Sequence, residues 1–141
     1  MKNLFLLSFL IFYVPSVIAI DIEAANFNVT KSDAKEYGIN VVVNAASSSC
    51  SNANDVSISY PKSFRDADFK AINISLKEDN KLLLDAPSVS VELDDYMGFK
   101  SFHGSVICID SSLLSYVNVS LAYGRGEFIT SEINLSGLDE F

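Results

Sequence analysis

The feature that most constrains this chain is an alternation of apolar and polar residues with a period of two. It recurs along nearly the whole length after the first twenty positions. Tyr37, Ile39, Val41 and Val43 alternate with Gly38, Asn40 and Asn44. Val56, Ile58 and Tyr60 alternate with Ser57 and Ser59, and Ile72, Ile74 and Leu76 with Asn73, Ser75 and Lys77. The same pattern carries Phe27 and Val29, then Val89, Val91 and Leu93, then Val117, Val119, Leu121 and Tyr123, and then Ile129, Ile133 and Leu135. A strand places successive side chains on opposite faces, so this period describes half-buried strands, and the β-branched content supports them. No segment offers three turns of amphipathic helix. Single helical turns are expected at Lys31 to Tyr37 and at Ser63 to Phe69. Leu82 to Leu84 and Val106 to Ile109 are apolar at consecutive positions, and the second predicts a central strand covered on both sides.

Turn signals punctuate these runs. Ser47 to Asn54 is a polar loop, Pro61, Asp79-Asn80, Ala86-Pro87 and Gly98 interrupt others, and Gly124-Arg125-Gly126 reads as a tight hairpin with left-handed glycines. Eight or nine short strands about ten residues apart predict an all-β fold. An antiparallel β-sandwich is the first expectation and a small β-barrel the alternative.

The N-terminus breaks the pattern. Met1-Lys2-Asn3 precedes an apolar run from Leu4 to Val14, then Pro15-Ser16 and Val17-Ile18-Ala19. That is the layout of a secretory signal peptide with cleavage after Ala19. These eleven residues, apolar but for Ser8, span about 16 Å as a helix, against about 30 Å for a bilayer core. The expected organisation is therefore a signal peptide over residues 1–19 and one all-β domain over 20–141. A secreted or periplasmic location follows, with no stable membrane insertion after cleavage. In such a compartment Cys50 and Cys108, the only two cysteines, are expected to form a disulfide.

Composition narrows function by exclusion. Ten Lys and Arg against 18 Asp and Glu give a formal charge of −8, and losing Lys2 with the leader makes the rest more acidic still. A basic footprint for nucleic acid is missing. There is one histidine, His103, and no Gly-x-Ser-x-Gly elbow, so no nucleophile–base pair is apparent and no enzyme is expected. No cofactor and no resident metal site are expected either.

The remaining candidates are binding residues. Asp66 with Asp68, and Glu92 with Asp94 and Asp95, are the densest acidic points. If loops bring them to one end, their fields add and suit a basic protein partner or, as a further alternative, Ca²⁺. Tyr96, Phe99 and Phe102 surround Gly98 as a candidate aromatic patch. Arg125 sits between glycines at an expected hairpin tip. Four sequons, at Asn28, Asn73, Asn118 and Asn134, lie inside alternating runs, where Asn and Ser/Thr also serve as an outward polar face. The expected function is an exported, non-enzymatic module that binds a protein partner, of inhibitor or adhesion type. The alternative is a structural subunit of an extracellular assembly, joined through a strand edge.

Overall fold

The computed structural model describes residues 23–78, 81–93 and 102–141. The alternating segments form ten strands in two sheets: β1 (Ala25–Val29), β2 (Asn40–Asn44), β3 (Asn54–Pro61), β4 (Ser63–Phe64), β5 (Ala67–Glu78), β6 (Lys81–Pro87), β7 (Val91–Leu93), β8 (Phe102–Ile109), β9 (Val117–Arg125) and β10 (Phe128–Ser136). One sheet runs β1-β10-β9-β5-β4, with β6 also paired to β5, and curls into a half-barrel. The second runs β2-β3-β8-β7. The all-β sandwich expected from the periodicity is the fold, with a barrel-like curl in its larger sheet.

The inner faces meet in one core. Val117, Val119, Leu121 and Tyr123 of β9, Ile133 and Leu135 of β10 and Ile72 of β5 pack with Val56, Ile58 and Tyr60 of β3. These are the apolar members of the alternating runs. The Tyr123 hydroxyl donates to the Pro61 carbonyl at 3.0 Å, so a phenol from one sheet satisfies the end of a strand in the other. The Cys50–Cys108 disulfide, with a Cα–Cα distance of 5.2 Å, ties the loop before β3 to β8. Such a bond is compatible with an oxidising compartment. Residues 1–19, where a signal peptide is expected, lie outside the described residues.

Lys31–Glu36 forms the expected helical turn, α1. Thr30 caps it: the Asp33 amide donates to Thr30 Oγ1, and the Thr30 amide donates back to Asp33 Oδ2.

Four local expectations need correction. Ser63 to Phe69 holds no helical turn. Arg65 and Asp66 adopt positive φ of 49° and 61° and form the two-residue connection between β4 and β5, a geometry suited to the twist of a hairpin. At the second hairpin the turn residues are Gly126 and Glu127, and only Gly126 is left-handed. Gly124 lies within β9 and is required for a different reason, since a Cβ there would collide with the Phe128 carbonyl. The stretch Val106 to Ile109 is not covered on both sides: Val106 is 66 % exposed. Finally, the sheet is not purely antiparallel. β1 joins the free side of β10 in parallel, with Ala25 opposite Ser131 and Val29 opposite Leu135.

Candidate functional site

The twelve-residue β5 organises the rim of the larger sheet. β9 pairs along one side of it, whereas the other side is shared by the two-residue β4 and by β6. β6 has β5 as its one partner strand among the described residues, so its far edge is unpaired. In the smaller sheet β7 reaches from Phe102 to Gly104 of β8, and, among the described residues, residues 105–109 have a strand partner only in β3. The crossover from β6 to β7 is pinned between the two sheets. The Ser88 amide donates to the Ile72 carbonyl at 3.1 Å, and Ser105 Oγ donates to the Val89 carbonyl at 3.2 Å.

Past this crossover the sandwich is open on one side. A slot of about 300 Å³ lies between β6 and β8, and Ile74, Leu76, Leu84, Ala86, Ile107 and Ile109 line it. The leucines of β6 are left half in water, at 51 % for Leu82, 49 % for Leu83 and 50 % for Leu84. Edge strands in soluble proteins are usually shortened, charged or covered, because their free N–H and C=O groups template another strand. Here three leucines in succession occupy such an edge. The slot also touches Asp110, whose carboxylate is held below the usual range because the Ser112 hydroxyl and amide donate to Oδ1 at 2.6 and 2.9 Å. That carboxylate caps the following 3-10 turn, Ser111–Tyr116. The slot therefore offers strand edges and apolar contact, with Asp110 already engaged by Ser112.

Of the acidic candidates, Asp66, Asp68 and Glu92 lie among the described residues. Asp66 lies in the β4–β5 turn and Asp68 begins β5 opposite Ser63. Arg125 Nε donates to the Asp66 carbonyl at 3.1 Å, and its guanidinium is 4.0 Å from the Asp66 carboxylate. Glu92, on β7, pairs with Lys62. Arg65 lies over the Phe27 ring, 4.4 Å from its centroid. The predicted acidic points thus carry cations between them, and among the described residues no three His, Cys, Asp or Glu side chains gather to hold a metal. Asp94 and Asp95 lie outside the described residues.

Of the aromatic candidates, Phe102 is 7 % exposed and does not belong to a surface patch. A Cβ on Gly38 would stand 3.5 Å from its ring, so the turn after α1 covers it closely. Tyr96 and Phe99 lie outside the described residues. His103 packs against the Phe69 and Tyr60 rings, with centroids 4.7 and 6.0 Å away. Burial, then the positive charge of Lys62, push its pKa below the ordinary histidine value. Ser105 Oγ, two residues on, bonds Ser88 Oγ at 2.6 Å.

The four sequon asparagines converge on one face. Asn28 is opposite Asn134, Asn134 is opposite Ser120, and Ser120 is opposite Asn73; in the next row Ser136, Asn118 and Ser75 are neighbours. They line a polar groove of about 590 Å³ on the outer face of the larger sheet. The signal was legible, since each Asn and its Ser or Thr share one parity in an alternating run. Which strands would be adjacent was not. Comparison with protein-family models, with curated proteins and with solved structures found no match.

Proposed function

We propose that this protein is an exported, non-catalytic binding module that takes an extended segment of a protein partner by strand addition at the rim between β6 and β8. The observation that carries this reading is the slot itself, in which two strand edges without a partner among the described residues flank an apolar floor. A strand laid there satisfies main-chain groups on one or both sides, and its alternate side chains cover Leu84, Ile107 and their neighbours. The acidic ends contribute less to recognition than the net charge suggests, because Lys62 and Arg125 already neutralise Glu92 and Asp66. The disulfide supports an oxidising location, and the N-terminal pattern supports export.

Site-specific photo-crosslinking in the host provides the test. A photoreactive residue at position 84 is expected to give a protein adduct, whereas the same residue at position 118, in the polar groove, is expected to give none. Adducts from position 118 alone would move the binding face to the outer side of the larger sheet.

A further inference from the structure

The smaller sheet has an apolar surface of its own, on the face turned away from the core. Ser57 and Ser59 of β3 take the outward parity, because Val56, Ile58 and Tyr60 face the core. Val42 and Val106 flank Ser57, while Asn40 and Gly104 flank Ser59 and Val91 lies beyond Gly104. All three valines are exposed, and neighbouring exposed apolar residues mark binding surfaces where single ones do not. A groove of about 440 Å³ runs over them. It shares Asn40 and Ser59 with a pocket of about 510 Å³ between α1 and the start of β2, whose apolar lining includes Ala34, Ile39, Val41, Phe102 and Phe141.

We propose that this surface binds a fatty acid, its carboxylate held in the pocket and its tail laid along the groove. Charge names the head group. Lys31 and Lys35 lie one turn apart on α1 and both line the pocket, whereas no Asp or Glu among the described residues does. The ion pairs among the described residues use Lys62 and Arg125, so Lys31 and Lys35 are left to an outside anion. The other cavities differ: Asp110 touches the slot beside β6, and Asp85 and Glu132 line the polar groove. With a formal charge of −8 on the chain, an anion is repelled from most of the remaining surface. Ser59, 8 % exposed, stands where pocket and groove meet, and among the described residues its hydroxyl has no partner. A buried hydroxyl left unbonded is costly, and a carboxylate oxygen supplies the missing acceptor. The lining names the tail, since an apolar cavity of several hundred Å³ with a few placed polar groups is the usual form of a small-molecule site. Beyond Ser59 the tail covers Val42 and Val106, which nothing else described covers. The site lies on the opposite face of the smaller sheet from the slot and is independent of strand addition there.

Equilibrium dialysis of the delipidated full chain, with its disulfide intact, against labelled laurate tests the proposal. Saturable binding at one site is expected, and the neutral analogue dodecanol is expected to bind on the order of tenfold more weakly. The double variant K31Q/K35Q is expected to lose about the same factor for laurate and nothing for dodecanol. Val106→Asp, at an exposed position, is expected to weaken laurate on the order of tenfold and to leave the shorter hexanoate unchanged. Circular dichroism of each variant separates lost binding from lost folding. Absence of saturable laurate binding overturns the proposal, as does laurate binding indifferent to either variant. Retention on phosphatidylglycerol vesicles without uptake of laurate from solution overturns it too, and makes the same face a membrane contact.

Discussion

Strands β9 and β6 belong to the same sheet and both depend on leucine and valine or on leucine alone for their apolar character, yet they end in opposite environments. Val117, Val119, Leu121 and Tyr123 of β9 are 0–1 % exposed, whereas the three leucines of β6 are about half exposed. β9 has β5 on one side, β10 on the other and the smaller sheet across its inner face. β6 has β5 alone. Burial is conferred by neighbours, and a run of apolar residues in a sequence does not say how many neighbours it will have. The centre of this sheet is built for stability and its rim is left available.

The largest effect that can test this contrast comes from the covalent tie at the rim. Replacing Cys50 and Cys108 together with Ala is expected to cost about 4 kcal/mol by the chain-entropy account of a loop closed over 58 residues. Denaturant unfolding of oxidised and variant protein measures it. Hydrogen exchange at β9 should remain the slowest in both, and equal exchange at β9 and β6 would erase the distinction between centre and rim.

A matched pair of truncations gives the next effect. Leu121→Ala is expected to cost about 3 kcal/mol, as lost burial plus an unfilled cavity. Leu83→Ala is expected to change stability by about 0.5 kcal/mol or less. Similar losses at the two positions, read from urea midpoints, would show that the rim is packed in solution.

The smallest effect is a titration. Burial raises the pKa of Tyr123 far above the ordinary tyrosine value, with the nearby Tyr60 phenol adding to it, and burial raises Tyr60 despite its bond to Ser90. Both phenols ionise more readily in the unfolded chain. Their contribution to stability is therefore complete below about pH 10, the unperturbed range, and is lost as pH rises towards their folded values. Tyr123→Phe is expected to cost about 1 kcal/mol at neutral pH, from the lost bond to Pro61, and to flatten the alkaline limb. An alkaline limb unchanged by that variant would assign it to other groups.

Much of the fold was legible because the core-facing parity of β3, β9 and β10 is written directly in period two. The candidate disulfide was legible because two cysteines leave one pairing. What period two omits is adjacency. It could not tell that β7 would stop at Gly104 of β8, so Val106 was read as covered when it is exposed. It could not tell that the far side of Leu82, Leu83 and Leu84 would find no strand among the described residues. The acidic points Asp66 and Glu92 were correctly seen as dense in sequence, but Lys62 and Arg125 reach them from positions whose proximity only the topology creates. Arg65 and Asp66 were read as part of a helical turn because a left-handed pair without glycine leaves almost no trace in composition.

The parallel pairing of β1 with β10 has a consequence for how the molecule is made. Position 25 finds its partner at position 131, and no local hairpin can stand in for it. Synthesis delivers the two strands at opposite ends of elongation, so the first waits unpaired until nearly everything else has emerged. Closing so long a loop is slow, because its entropic cost precedes any reward. The larger sheet is therefore completed last, once β10 presents the free side that β1 joins.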